Sequence, residues 1–203
     1  MLGREQAANN EQTFLFMDLV GFTALTAERG DDNAAEVALR LYANVRRLLP
    51  DYAGEEIKTI GDAMMIRCED PRKAVDLGLR ISEQIAGDPG FPPVRIGVHT
   101  GSAVAREGDW YGSGVNVAAR LCSAAGGGEV LVSDAARRAA GAPSHIDFGP
   151  RRMHWLKNVP EPVDAMSAAP RSDAAPRRSL QDFAKRARRP GAGISMRYSE
   201  VTG

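Results

Sequence analysis

The strongest constraint on what this chain can fold into is one short stretch, Phe14-Leu15-Phe16-Met17-Asp18-Leu19-Val20-Gly21-Phe22-Thr23. A continuous apolar run of this kind reads as a strand buried on both faces. It delivers Asp18 to the rim of a core, where an unpartnered carboxylate is costly. Two solutions stay open from the stretch alone. Asp18 caps the turn or helix that follows, or it is a hard oxygen ligand for a metal ion. The next residues, Val20-Gly21-Phe22-Thr23, read as a small loop. Successive backbone N–H groups at such a reversal can cradle phosphate oxygens, and Gly21 allows a close approach.

The rest of the chain is long enough for one domain with a sizeable core: 203 residues with a formal net charge of zero. That charge is unevenly spread. From Ser167 onward eight Arg/Lys face three Asp/Glu, which gives +5 and leaves −5 on the remainder. A mildly acidic body does not fit a nucleic-acid-binding domain. The two cysteines, Cys68 and Cys122, read as small buried hydrophobes rather than a disulfide framework. No basic-plus-apolar leader and no apolar run near membrane-spanning length occurs, so the expected compartment is cytoplasmic. The chain divides into a flexible lead at 1–12, a domain at 13–166 and a disordered basic tail at 167–203. The tail's run Lys185-Arg186-Ala187-Arg188-Arg189 reads first as solvated; contact with acidic membrane lipid or with a partner is the minor reading.

Hydrophobic periodicity and punctuation give the element order. A strand at 13–18 is followed by a helix at 33–49, capped by Asp32 and stopped by Pro50. A hairpin joins 56–60 to 63–68 around Gly61-Asp62. Asp70 and Pro71 then open a second helix. A strand at 94–100 is expected to pair with another at about 102–106. A loop at 107–112 leads into a helix at 114–124, a strand at 129–133 and a short capped helix at 134–140. Edge strands are expected within 146–156 and at 163–166. This order predicts a mixed α/β domain of the α+β type: a largely antiparallel sheet with flanking helices, not a doubly wound parallel fold.

Within that order several side chains can converge on one chemistry. Asp18 ends a strand and Asp62 sits at a hairpin turn. If the strands are neighbours the two carboxylates repel, and a divalent pair resolves the repulsion. Asp62 alone would be an ordinary turn residue. Lys58 lies four residues before Asp62, and Asp109 lies in the loop before the third helix. Lysine only donates and ionised aspartate only accepts. Together they complement adenine, whose ring acceptor stands beside an amino donor; guanine presents the reverse pattern. Taken singly, Lys58 is a solvated edge lysine and Asp109 a turn residue. Asn116 and Arg120 are four apart and share a helix face. They form either a solvated edge, or an amide that orients a sugar beside a guanidinium that stabilises phosphate oxygens.

Four segments carry a resemblance to a known family. They are 16–23 (Phe-Met-Asp-Leu-Val-Gly-Phe-Thr), 58–62 (Lys-Thr-Ile-Gly-Asp), 95–101 (Arg-Ile-Gly-Val-His-Thr-Gly) and 108–120, from Gly108 through Asn116 to Arg120. In this order they resemble the catalytic domain of class III nucleotide cyclases, and the likeness runs from about 13 to 166. The resemblance implies a cyclase-homology, ferredoxin-like fold. It implies that Asp18, Asp62 and the Leu19 carbonyl bind two divalent cations, Mg2+ or Mn2+. Lys58 and Asp109 match the adenine-selecting pair, Asn116 and Arg120 the transition-state pair, and Gly21, Phe22 and Thr23 the triphosphate loop. Lys157 resembles a late phosphate-binding lysine, although Asn158 stands where the family usually has glycine. The segment 108–112 resembles bacterial members with a short dimer arm. The implied activity is conversion of ATP to 3′,5′-cyclic AMP and pyrophosphate, by a homodimer whose two sites lie at the subunit interface. A guanylyl cyclase and a catalytically inactive binding module are the alternatives.

Overall fold

In the computed structural model, which describes residues 11–141 and 143–172, the apolar run forms β1 (Glu11–Leu19) inside an eight-stranded sheet. Phe14, Leu15 and Met17 are fully buried, as a strand covered on both sides requires. The hairpin forms as β2 (Gly54–Ile60) and β3 (Ala63–Cys68), and β3 lies antiparallel to β1. On the other side β1 pairs antiparallel with β4 (Val94–Ser102), which sets Asp18 opposite Arg95. Beyond β4 lie β7 (Val130–Ser133), β10 (Val163–Pro170) and β8 (Ile146–Phe148); β9 (Arg152–His154) also pairs with β10. The β4–β7 pair is parallel and the others are antiparallel. The expected α+β architecture with a largely antiparallel sheet is what forms.

The two faces of the sheet are covered differently. Leu15, Met17 and Leu19 join a large core with α2 (Asp31–Leu48), α3 (Pro71–Ala86) and α5 (Asp134–Ala140). The opposite face carries Phe14, Phe16 and Met65, packed under α4 (Ser113–Ala124) through Ala118 and Cys122. Helix α4 sits almost backbone to backbone on β4. A Cβ on Gly97 would come within 2.2 Å of the Cys122 nitrogen, and one on Gly114 within 2.8 Å of Gly101. Beside α4 a short ribbon, β5 (Val104–Arg106) with β6 (Asp109–Tyr111), turns at Glu107 and Gly108, both at positive φ. Trp110 docks the ribbon edge-on against Phe14, with 5.8 Å between ring centroids.

Four expectations are corrected. The strand at 104–106 pairs with β6 and not with β4, because both edges of β4 are already taken by β1 and β7. The loop after Asp18 is short, and Phe22 and Thr23 begin a helix, α1 (Phe22–Arg29), that the periodicity does not announce. Only Leu25 of α1 is buried, so it has no apolar stripe to read. Asp32 is not the cap of α2: Gly30, at φ +81°, holds that position and Asp31 and Asp32 fall in the first turn. Finally, β10 runs to Pro170, past the expected boundary at 166, since its later residues pair with β7 and β8. Residues 1–10 of the expected lead and the tail from 173 lie outside the described residues, as does the basic run at 185–189.

Other expectations hold. Asp70 caps α3, its Oδ1 accepting from the Arg72 backbone N–H at 2.8 Å. Cys68 and Cys122 are free and buried, and burial pushes each thiol up to about 12. Among the described residues no helix is long and apolar enough to cross a membrane.

Candidate active site

Strand pairing does what the sequence left conditional: it makes the strands bearing Asp18 and Asp62 neighbours. Asp18 is the penultimate residue of β1, and Asp62 sits in the two-residue turn between β2 and β3. The Asp62 carboxyl neighbours that of Asp18, and the backbone N–H groups of Leu19 and of Asp62 itself act against the rise in its pKa. Burial, then the hydrogen bond and charge of Asp18, push the Asp62 carboxyl up to about 6. Asp18 has a second partner. Arg95 donates from Nε at 2.9 Å, and also from Nη2, to Asp18 Oδ2. The same guanidinium donates from Nη1 at 3.1 Å to the Ser123 carbonyl in the last turn of α4. The hydrogen bond to Asp18 raises the Arg95 pKa further, so this cation is permanent.

The donor set fits a hard divalent cation. It consists of two adjacent carboxylates, one reluctant to ionise beside the other, at the end of a strand. Among the described residues no group of three or more His, Cys, Asp or Glu side chains could hold a metal. Next to this edge Gly21, at φ +80°, is the N-cap of α1. The first N–H groups of a helix have no intrahelical partner, and here they belong to Phe22 and Thr23. The phosphate-cradle reading of Gly21, Phe22 and Thr23 therefore rests on a helix N-terminus instead of a loop.

Tyr42 was not singled out in the sequence. It lies on the buried face of α2, and its hydroxyl donates to the Gly61 carbonyl, with the Ala63 carbonyl 3.5 Å away. Burial first, then the charges of Asp62 and Asp18, raise the phenol's pKa. An aromatic hydroxyl on an otherwise apolar stripe was the available signal. For Arg95 there was none, because its partner lies 77 residues away and is met only through the β1–β4 register.

Lys58 and Asp109 are brought together. Lys58 Nζ donates to Asp109 Oδ2 at 2.5 Å, while Asp109 Oδ1 accepts from the Trp110 backbone N–H at 2.8 Å. The hydrogen bond to Lys58 holds the Asp109 carboxyl below its usual range. Lys58 is opposite Met65 in the β2–β3 register, and Met65 belongs to the core under α4, so Lys58 is on the α4 face.

Asn116 and Arg120 sit on α4, whose buried residues are Gly114, Val117, Ala118, Leu121 and Cys122. At about 100° per residue, Asn116 falls on the opposite side of the helix from that set, and Arg120 on its flank beside Val117. Among the described residues neither side chain has a hydrogen bond or ion pair, although Arg120 is half-buried. Lys157 is exposed in the turn between β9 and β10, likewise unpaired, and is not gathered with the others. Asn158 beside it takes φ +61°, a left-handed conformation that asparagine tolerates better than most residues.

Comparison with known proteins points the same way. The family model for the adenylate and guanylate cyclase catalytic domain matches residues 5–157. A pH-sensitive adenylate cyclase of Mycobacterium tuberculosis is 41% identical over 161 residues, covering 76% of this chain and 40% of the relative. An adenylate cyclase of Streptomyces griseus is 32% identical over 131 residues, covering 64% and 33% respectively. This chain thus spans less than half the length of either relative. Among solved structures, an adenylate cyclase of Trypanosoma brucei in its monomeric state superposes with a TM-score of 0.69 at 25% identity, covering 79% of this chain and 88% of that one. A match over three quarters of the sequence, on a fold shared with solved cyclases, places this chain in the family of adenylate and guanylate cyclase catalytic domains.

Proposed function

We propose that the chain is an adenylate cyclase that converts ATP to 3′,5′-cyclic AMP and pyrophosphate. The observation that carries this reading is the Lys58–Asp109 pair, a donor and an acceptor held side by side on the sheet face that also bears α4. Lys58 donates to the adenine ring nitrogen and Asp109 accepts from the exocyclic amino group. With GTP the same two groups meet a mismatched edge and lose their partners. The N–H groups of Phe22 and Thr23, with Gly21 allowing close approach, hold the triphosphate, and Lys157 adds a charge from the β9–β10 turn. Asn116 orients the ribose, and Arg120 stabilises charge building on the phosphate as the 3′-oxygen attacks the α-phosphorus in line and pyrophosphate leaves. Two divalent cations, Mg2+ or Mn2+, held by Asp18, Asp62 and the Leu19 carbonyl, would supply acidification of the 3′-hydroxyl and neutralisation of phosphate charge.

The working unit in this reading is a homodimer. Asn116 and Arg120 have no side-chain partner among the described residues, which supports their serving a site completed by a second copy. The expected setting is cytoplasmic, with no nucleic-acid partner. Product analysis from ATP and GTP under Mg2+ and under Mn2+ tests the proposal. Cyclic AMP should form, GTP should be left largely unused, and Asp18→Ala should abolish turnover with the fold intact. Absence of cyclic nucleotide with either metal would overturn it in favour of a binding module.

A further inference from the structure

The residue that holds the Asp62 turn in place is not one of those assigned above. Tyr42 is 5% exposed and its ring belongs to the core beneath the sheet. Its hydroxyl emerges from that core at one point, between the carbonyls of Gly61 and Ala63. Those two carbonyls bracket Asp62. The hairpin pairing of Ile60 with Ala63 closes the turn, but its backbone is permissive: Gly61 is exposed at φ +62°, and a Cβ there would meet nothing within 4 Å. Yet the turn must keep the Asp62 carboxyl against that of Asp18, and the two repel. An untethered glycine turn would relieve that repulsion by swinging outward.

We propose that Tyr42 is a positioning residue for Asp62, its hydroxyl pinning the Gly61–Asp62 turn so that the two carboxylates stay close enough to share cations. The inference rests on reading Asp18 and Asp62 as that shared cation site. Ring and hydroxyl have separable roles. The ring fills the α2 face of the core, which a phenylalanine would fill equally, and only the oxygen reaches the turn. The hydroxyl also ties α2 to the turn directly, so the site's geometry is referred to the rigid helical layer instead of to the hairpin's own flexibility. Ligands held to within about half an ångström are what separates a competent site from a loose one.

The test is a Mn2+ titration by electron paramagnetic resonance on the full chain, comparing wild type, Tyr42→Phe and Asp62→Asn. Loss of one hydrogen bond to the turn should weaken Mn2+ binding by about three- to tenfold in Tyr42→Phe. Asp62→Asn, which loses a ligand, should weaken it more. In turnover, the Mn2+ concentration for half-maximal rate should rise in Tyr42→Phe while kcat at saturating Mn2+ stays near wild type, a split that loss of packing alone would not produce. Wild-type affinity in Tyr42→Phe with weakened binding in Asp62→Asn would overturn the positioning role and leave the cation site standing. Wild-type affinity in Asp62→Asn would overturn both. Should Tyr42→Phe not fold, the Tyr42 ring resonances of the wild type supply the measurement: they should shift when Mg2+ is added, and their failure to move would overturn the proposal.

Discussion

At the scale of single residues, burial and register explain what the side chains do. His99 lies on β4 with its Nδ1 2.8 Å from Ser133 Oγ, and burial pushes its pKa down from 6.5 to about 4. Between those values the unfolded chain takes up a proton that the folded chain refuses, so stability falls as pH drops through this window and levels off below it. The full span corresponds to about 3 kcal/mol. Urea unfolding at pH 7 and pH 5 should show this slope in the wild type, and His99→Gln should flatten it by about 2 kcal/mol at pH 5. The residue scale also shows why the site was only partly legible. Asp18 and Asp62 stand out because a charge at the end of an apolar strand and one at a hairpin turn are visible in one dimension, whereas Lys58, inside β2, and Asp109 gain weight only as a pair and through the family resemblance. Arg95 and Tyr42 act on residues 77 and 19 positions away, through a strand register and a helix packing that no local pattern encodes.

At the scale of elements, the closeness of α4 to the sheet is what places Asn116 and Arg120. Gly97 provides it, since a Cβ would meet backbone atoms of Cys122 and Ala118 at 2.2–2.8 Å. Backbone cannot rotate out of the way as a side chain can, so Gly97→Ala must lift the helix. The expected destabilisation is about 3 kcal/mol or more, measured by denaturant unfolding. Long elements with a clear period were legible: β1, the β2–β3 hairpin, α2, α3 and α4 all form near where pattern and caps put them. Two elements without a local signal are short or lack amphipathicity: helix α1 buries one residue, and the three-residue β6 is too brief for alternation to register. The ribbon's partner choice was hidden for a different reason. It follows from β7 occupying the far edge of β4, a parallel pairing across an intervening helix.

At the scale of the molecule, and among the described residues, four helices (α1, α2, α3 and α5) contribute to the core on one face of the sheet, and one helix and a ribbon cover the other. Near the sparser face Ile60, Val104 and Tyr111 stay exposed. In the split-site reading that face meets a second copy, and neither chain is sufficient alone. Mixing inactive Asp18→Ala chains with inactive Arg120→Ala chains should then restore activity, because one of the two sites in each heterodimer is whole. No recovery, with heterodimers demonstrated by mass spectrometry, would count against the split. In the split-site reading the unpartnered Asn116 and Arg120 thus have a consequence in the language of alleles. Carried on separate chains, the two lesions leave each mixed pair one intact site. Carried together on one chain, they leave a pairing with a normal subunit none, since each site then draws one half from the damaged copy. The same two changes would be complementing in trans and dominant-negative in cis.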